Sequence, residues 1–398
     1  MDRVTSACTL RNRQRDSLPP VKVGIVVPYS WSFWGAVVEH AELQAQSLQE
    51  LGVETRTIMG NDPPGQFTRA LHPRVGREGP PPPDVIPVGR SAIVPANGSL
   101  PNIILGPRSV PRLKRALERE RFDLLHVHEP MAPVLAIGAL AMARSPVVAT
   151  FHASGGSGWA KLGAPLWGFL LDRIDVRIAV SERAREAAER LAPGRYQVIP
   201  NGVLIPPKAD PSQREHQILF VGRQEARKGL PVMLRAWPEI RRRTGARLRM
   251  IGADPLAVRL LIARQRISED GIDVLGFLSQ ERLTEELLSA KAMAAPSLGR
   301  ESFGMVLTRA FAAAMPVVAS DIEGYRDVMS TEVGLTVPPG DPSALTEAIV
   351  ELLADEDRRC RLGLAARRIA EERYSWEEVG RRLLRVYEHV LGRVPTAA

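Results

Sequence analysis

The chain has 398 residues, 44% hydrophobic and 25% charged, a balance that excludes a disordered chain and predicts two or three globular domains. Lys and Arg total 53 against 45 acidic residues, a net charge of +8, which favours phosphate-bearing partners without choosing among nucleic acid, anionic lipid and nucleotide. The two cysteines, Cys8 and Cys360, exclude a small disulfide scaffold and suit a reducing cytoplasm.

Residues 1–20 are polar and basic and lack the apolar core of a secretory signal, so they read as a disordered basic leader. Val21–Val27 is β-branched, nearly all apolar and ends at Pro28, the pattern of a strand buried on both faces of a parallel sheet. Apolar positions then recur at helical spacing from Val37 to Leu51, Gly52 stops the run, and Val53–Met59 reads as the next strand. This βαβ opening predicts a doubly wound α/β domain. Asn61–Pro95, rich in Pro and Gly, predicts a long surface excursion. A basic helix follows over Arg112–Arg121, then strands at Leu124–Val127, Val147–Phe151 and Val176–Val180. Ser181-Glu182 reads as a helix start, and Val198-Ile199 leads into Pro200-Asn201-Gly202. The most apolar stretch, Pro133–Phe151, contains Arg144 and two prolines, too interrupted for a membrane span.

Leu204–His216 holds three prolines among mixed charges and reads as a linker between a first domain, 21–203, and a second, 217–375. Strands of the second series fall at Gln217–Gly222, Leu248–Ile251, Asp273–Leu275, Met293–Pro296 and Pro316–Ala319. The amphipathic helix Trp376–Leu391, within 376–398, is expected to cross back to the first domain. Two such halves imply a cleft between them, where ligands of open α/β sheets bind.

Several generic signatures are absent: the GxxxxGK[ST] phosphate loop, the GxSxG elbow, and any nucleic-acid motif. Asp355-Glu356-Asp357 reads as a helix start rather than a metal site. Four constellations remain. Gly35-Ala36 opens a helix after the first strand, a generic anion-binding arrangement. Gly222-Arg223-Gln224-Glu225-Ala226-Arg227-Lys228-Gly229 follows the first strand of the second domain; Arg223 and Lys228 suit a diphosphate, although a solvated loop fits the local pattern as well. Gly299-Arg300-Glu301-Ser302-Phe303-Gly304 precedes the helix Met305–Ala314. Its carboxylate suits a helix cap, or sugar hydroxyls with the Phe303 and Gly304 amides on a phosphate. His152, at a strand's carboxyl end before Gly155-Gly156, faces a cleft or is a satisfied buried histidine.

In order along the chain, Gly222-Arg223…Lys228-Gly229, Glu301-Ser302-Phe303-Gly304, Pro316–Ser320 and Pro338-Pro339-Gly340-Asp341-Pro342 resemble the family-four retaining glycosyltransferases of the GT-B fold. In the first domain, Ile199–Val203 and Thr150-Phe151-His152 add to that resemblance. Pro28-Tyr29-Ser30, Asn97-Gly98-Ser99, Gly106-Pro107, Asp123–Pro130 and Ala132-Pro133 are similar to strings of the bacterial phosphatidylinositol mannosyltransferases. The resemblance implies two Rossmann-like domains facing across a cleft and a nucleotide-sugar donor, GDP-mannose or a UDP-sugar. It implies a phosphatidylinositol-type lipid or a soluble acceptor, transfer with retention, and no required metal or other cofactor. By position, Arg223 and Lys228 would hold the diphosphate and stabilise the leaving group, and Glu301 would bind sugar hydroxyls. Ser302, Phe303 and Gly304 would hold donor phosphate and sugar, His152 would lie beside the reacting centre, and Gly35 would let its loop approach the diphosphate. Tyr29 and Asn97 would approach an inositol phosphate, and Arg112, Lys114, Arg115 and Arg119 would meet an anionic membrane at the inner face of the cell membrane.

Two positions depart from the family pattern. Arg309 stands where relatives carry a second glutamate, eight residues and ~12 Å of helix beyond Glu301; arginine has no acceptor for ribose hydroxyls, but as a donor-binding residue it would still donate to hydroxyl oxygens or phosphate. Ala36 stands where a second glycine is common, a hindrance if φ there must be positive. Both raise the alternative of a catalytically impaired nucleotide-binding relative. Trp31, Phe33 and Trp34 form an aromatic loop that would stack on sugar, touch lipid, or pack locally.

Overall fold

A computed structural model of the chain describes residues 21–65, 68, 76–77, 79–93, 102–152, 164–207 and 213–392. The leader 1–20, Asn97 and Gly155-Gly156 lie outside the described residues. Two open α/β sheets organise the chain. The first contains β1 (Lys22–Ser30), β2 (Glu54–Gly60), β3 (Val85–Gly89), β6 (Leu124–His128), β7 (Val147–Phe151), β8 (Val176–Ala179) and β9 (Tyr196–Val198), in the order β3-β2-β1-β6-β7-β8-β9. These seven are parallel, while β4 (Ser91–Ile93) and β5 (Asn102–Ile104) attach antiparallel at the end of β1. The second sheet is parallel throughout: β12 (Ile272–Gly276), β11 (Arg247–Ile251), β10 (Glu215–Val221), β13 (Ala290–Ala295), β14 (Val317–Ser320) and β15 (Gly334–Val337), in that spatial order.

Three local readings are corrected here. β1 does not end at Pro28. The strand passes through it to Ser30, with its register against β2 shifting between Val26 and Ser30, because a residue without an N–H is tolerated where the ladder is broken. The Pro-rich stretch 61–95 is not all excursion: Val85–Gly89 pairs parallel with β2, and Ser91–Ile93 pairs with β5. β15, which the sequence reading lacks, completes the far edge of the second sheet. Asp355 accepts from the Arg358 amide and caps the Glu356–Ile369 helix, the capping role its position suggested.

In each sheet the chain reverses winding direction beside the first strand, between β1 and β6 and between β10 and β13. Carboxyl ends of strands at such a switch point open a crevice. Several contacts join the lobes. Val180, Ala184 and Val203 of the first lobe share one apolar cluster with Phe303, Leu307, Phe311 and Tyr325 of the second. Glu182 N–H donates to Asp327 at 2.9 Å, and the Arg183 guanidinium pairs with Glu323. The chain itself returns: after the bridge between Val203 and Ser375, the helix Trp376–Val390 packs on the first lobe, burying Trp376, Val379, Leu383 and Tyr387 beside Ile25 and Leu48. Ser47 Oγ donates to the Trp376 carbonyl at 2.7 Å.

Candidate active site

The second lobe supplies a charged cluster at the carboxyl ends of β10 and β13. Gly229 has φ +73°, and a Cβ there would lie 1.8 Å from the Pro296 carbonyl oxygen. Only glycine lets the 223–229 loop lie this close to the end of β13. The Leu298 N–H donates to the Arg227 carbonyl at 2.7 Å, fastening the two loops together. Lys228 Nζ therefore meets Glu301 Oε1 at 2.7 Å, and Arg227 Nη1 donates to the same oxygen at 2.8 Å. Ser297 Oγ donates to it at 3.3 Å and pairs with the Tyr325 hydroxyl at 2.8 Å. Burial foremost, then the Glu301 charge, pushes the Tyr325 hydroxyl far up, so it stays a neutral hydrogen-bonding group.

Glu301, with a side chain 9% exposed, is thus held by two cations and a hydroxyl rather than acting as a helix cap. The Met305–Ala312 helix is instead preceded by Gly304 in the left-handed region, φ +80°. Lys228 is 17% exposed and turned into this cluster, whereas Arg223 is 47% exposed and pairs with Glu225 at 3.0 Å. Glu225 also pairs with Arg227 at 2.6 Å. Arg227 is the residue that the sequence reading passed over. It lies inside the quoted loop motif, but nothing in the spacing tells which cation the fold turns toward Glu301.

The segment that carries Glu301 faces the first lobe, since the hydroxyl of Ser181, at the carboxyl end of β8, donates to the Ser302 carbonyl. Ser181 also caps its own helix, accepting from the Ala184 N–H at 3.0 Å. Across from it, Gly35 precedes the Ala36–Glu50 helix with an extended φ of −162°, and Ala36 is already helical. The Ala36 departure is therefore no obstacle, because no positive φ is required there. A Cβ at Gly35 would meet only Val38, at 4.0 Å, leaving open space over that helix end. Arg309 is ion-paired with Glu39, in the first turn of the same helix.

His152 stands at the carboxyl end of β7, partly buried, above a stack of imidazoles the sequence reading did not assemble. His152 and His128 ring nitrogens are 2.9 Å apart. His128 stacks on His126 at a centroid distance of 4.7 Å, and His40 from the first helix meets His152 edge-on at 4.8 Å. His126 bonds Thr150 Oγ1 at 2.7 Å and the Tyr387 hydroxyl. Burial lowers His40 to about 4 and His126 to about 3, and holds His128 and His152 well below the usual value. All four rings are neutral at neutral pH. The signal for part of this was present: His126 and His128 are two apart in a strand and so share a face. The backbone N–H of His152 also donates to the Glu129 carboxylate at 3.1 Å.

Tyr29 sits at the end of β1, opposite Ile103. Burial, and secondarily the Glu129 charge, pushes its hydroxyl far up. Trp31 and Phe33 are buried, while Trp34 is exposed with the Arg77 guanidinium 4.1 Å from its ring centroid; the aromatic loop is local packing with one outward ring. Arg112, Lys114, Arg115 and Arg119 all lie exposed on the Ser109–Glu120 helix.

Comparisons with known proteins agree with this architecture. Residues 37–204 match the family model described as Glycosyltransferase Family 4, and residues 215–355 match Glycosyl transferases group 1. A phosphatidyl-myo-inositol mannosyltransferase of Mycobacterium leprae is 34% identical over 391 residues, covering 93% of this chain and 97% of the relative. The Mycolicibacterium smegmatis protein of the same name is 32% identical, covering 94% and 95%. Among solved structures, Anabaena HepE in complex with UDP superposes with a TM-score of 0.69 at 18% identity, covering 93% of this chain and all of that one. Sucrose-phosphate synthase of Thermosynechococcus elongatus gives 0.68, also at 18%. The two facing Rossmann-like lobes are the GT-B fold, and the chain belongs to the glycosyltransferase family that includes the phosphatidyl-myo-inositol mannosyltransferases.

Proposed function

We propose that this protein is a retaining family-four mannosyltransferase that moves mannose from GDP-mannose to a phosphatidylinositol-type lipid at the inner face of the cell membrane. The observation that carries the reading is the convergence of Lys228 and Arg227 on Glu301 at the edge of the interlobe crevice. A pyrophosphate gains charge as the bond to the anomeric carbon breaks. Cations already fixed in place stabilise that charge without reorganising. Lys228 supplies a compact point charge and Arg227 or Arg223 a planar fork. The Phe303 and Gly304 amides at the start of the Met305–Ala312 helix, and the amides after Gly35, supply further donors for phosphate oxygens. The Glu301 carboxylate accepts from sugar hydroxyls and so orients the anomeric carbon. His152, neutral and braced by His128, offers a hydrogen bond at the sugar. In this scheme the cationic side chains and helix ends neutralise the diphosphate, and no metal is assigned a step. The lipid acceptor is supported by the family's named members.

The test is transfer from GDP-, UDP- and ADP-sugars into phosphatidylinositol vesicles by the purified chain, with the product anomer read by NMR. GDP-mannose is expected to be used best and to give the α-linked product. Absence of both transfer and hydrolysis with every donor removes the reading, and equal use of a UDP-sugar reassigns the donor.

A further inference from the structure

Arg309 and Glu39 belong to different lobes and are joined as an ion pair. Gln280, the first residue of the Gln280–Ser289 helix, donates its side-chain amide to the same Glu39 oxygen. Two separate elements of the second lobe thus converge on one carboxylate of the first, and both charged side chains are mostly out of solvent. Each charge also stands where its own helix favours it. Glu39 is in the first turn of Ala36–Glu50, and Arg309 is in the last turn of Met305–Ala312. Anions are favoured at helix amino ends and cations at carboxyl ends. A carboxylate at position 309 would face Glu39 with like charge, so the departure at 309 and the glutamate at 39 form a matched pair.

We infer that Glu39, Arg309 and Gln280 form an interlobe clasp, and that Glu39 and Arg309 are positioning residues for the donor site. Glu39 lies four residues after Gly35 and Arg309 five after Gly304, about 6 and 7.5 Å along their helices. The clasp therefore sets the spacing between the two amide-lined helix starts assigned to the donor phosphates. It acts close to them, with a short lever arm. The catalytic consequence rests on the proposed donor site, whereas the clasp itself does not.

The experiment is a double-mutant cycle read in two ways. Spin labels at Glu50→Cys and Glu285→Cys, both exposed, in a chain with Cys8 and Cys360 replaced by serine, report the interlobe distance. Steady-state kinetics report KM for the donor against kcat. Glu39→Gln and Arg309→Gln each broaden the distance distribution and raise donor KM about tenfold, with a smaller change in kcat. The double variant is little worse than either single, and Arg309→Lys, which keeps the cation, stays nearer to the parent. The clasp is overturned if the single variants leave the distance distribution unchanged, or if their effects on it simply add. The positioning role is overturned if donor KM does not move while the distance does. A parent protein that turns over no sugar nucleotide ends the transferase reading, and the distance measurement still decides the clasp.

Discussion

At the scale of single residues, Glu301 sets the electrostatics of the proposed donor site. Its carboxylate neutralises Lys228 and Arg227 at 2.7 and 2.8 Å, so removing the charge without the shape takes the counter-charge from Lys228 and leaves Arg227 to Glu225. Glu301→Gln is expected to lower kcat/KM for transfer by about 100-fold or more, because sugar hydroxyls lose their acceptor in the transition state. Nucleoside diphosphate binding, measured by calorimetry, is expected to be unchanged or tighter. Equal loss of diphosphate affinity would place the carboxylate on the wrong part of the donor. Lys228 and Glu301 could be named in the sequence because the motifs around them resemble those of a known family; the local pattern alone left a solvated loop and a helix cap open. The partner of Arg309 was not legible: Glu39 lies 270 positions away, and no local pattern spans that distance.

At the scale of elements, long apolar strands such as Val147–Phe151 are readable from composition, and helix starts such as Ser181 from their capping chemistry. Short edge pieces such as Ser91–Ile93 and Asn102–Ile104 are not, because three residues carry no period and their pairing is non-local. The imidazole stack arises between elements in the same way. β6 presents His126 and His128 on one face, the Ala36–Glu50 helix adds His40, and the Trp376–Val390 helix covers them with Tyr387. This has a consequence for acid stability. An unfolded histidine takes up its proton near pH 6.5, but in the fold His40 refuses it until about pH 4 and His126 until about 3. Between those limits the unfolded chain binds more protons, so stability rises with pH across the window and is lost on acidification. The slope is at most about 1.4 kcal/mol per pH unit for each histidine. Above pH 6.5 neither state is protonated at these rings and their contribution is flat. The melting temperature is expected to fall steeply from pH 6.5 to 5, and less steeply in His126→Gln. A flat profile through pH 5 would show that the rings are already protonated or open to water.

At the scale of the whole molecule, two groups of cations bear on the proposed function. One lies in the crevice, countered by Glu225, Glu301 and Glu39. The other lies on the outer face of the Ser109–Glu120 helix. Its apolar side is spent inside the first lobe, with Leu113 and Ala116 buried, which leaves a polar face to meet anything outside. Lys114 and Arg119 side chains are 63% and 87% exposed, and Arg112 and Arg115 are exposed beside them. Glu118 lies 3.9 Å from Lys114, whereas Glu120 turns inward to Lys22 at 2.9 Å. The acids therefore only partly offset the face. None of the described helices is long and apolar enough to cross a membrane, so contact through this helix would be electrostatic attraction to a surface. Vesicles containing anionic lipid are expected to bind the protein, and binding is expected to weaken as salt shortens the screening length. Replacing Arg112, Arg115 and Arg119 with Gln removes three cations worth about 1 kcal/mol each near such a surface, roughly a hundredfold in affinity. Nucleotide affinity in the crevice should stay as it was, since the cations proposed for the diphosphate are on the second lobe. If the triple variant bound anionic vesicles as well as the parent, attachment would have to come from another face.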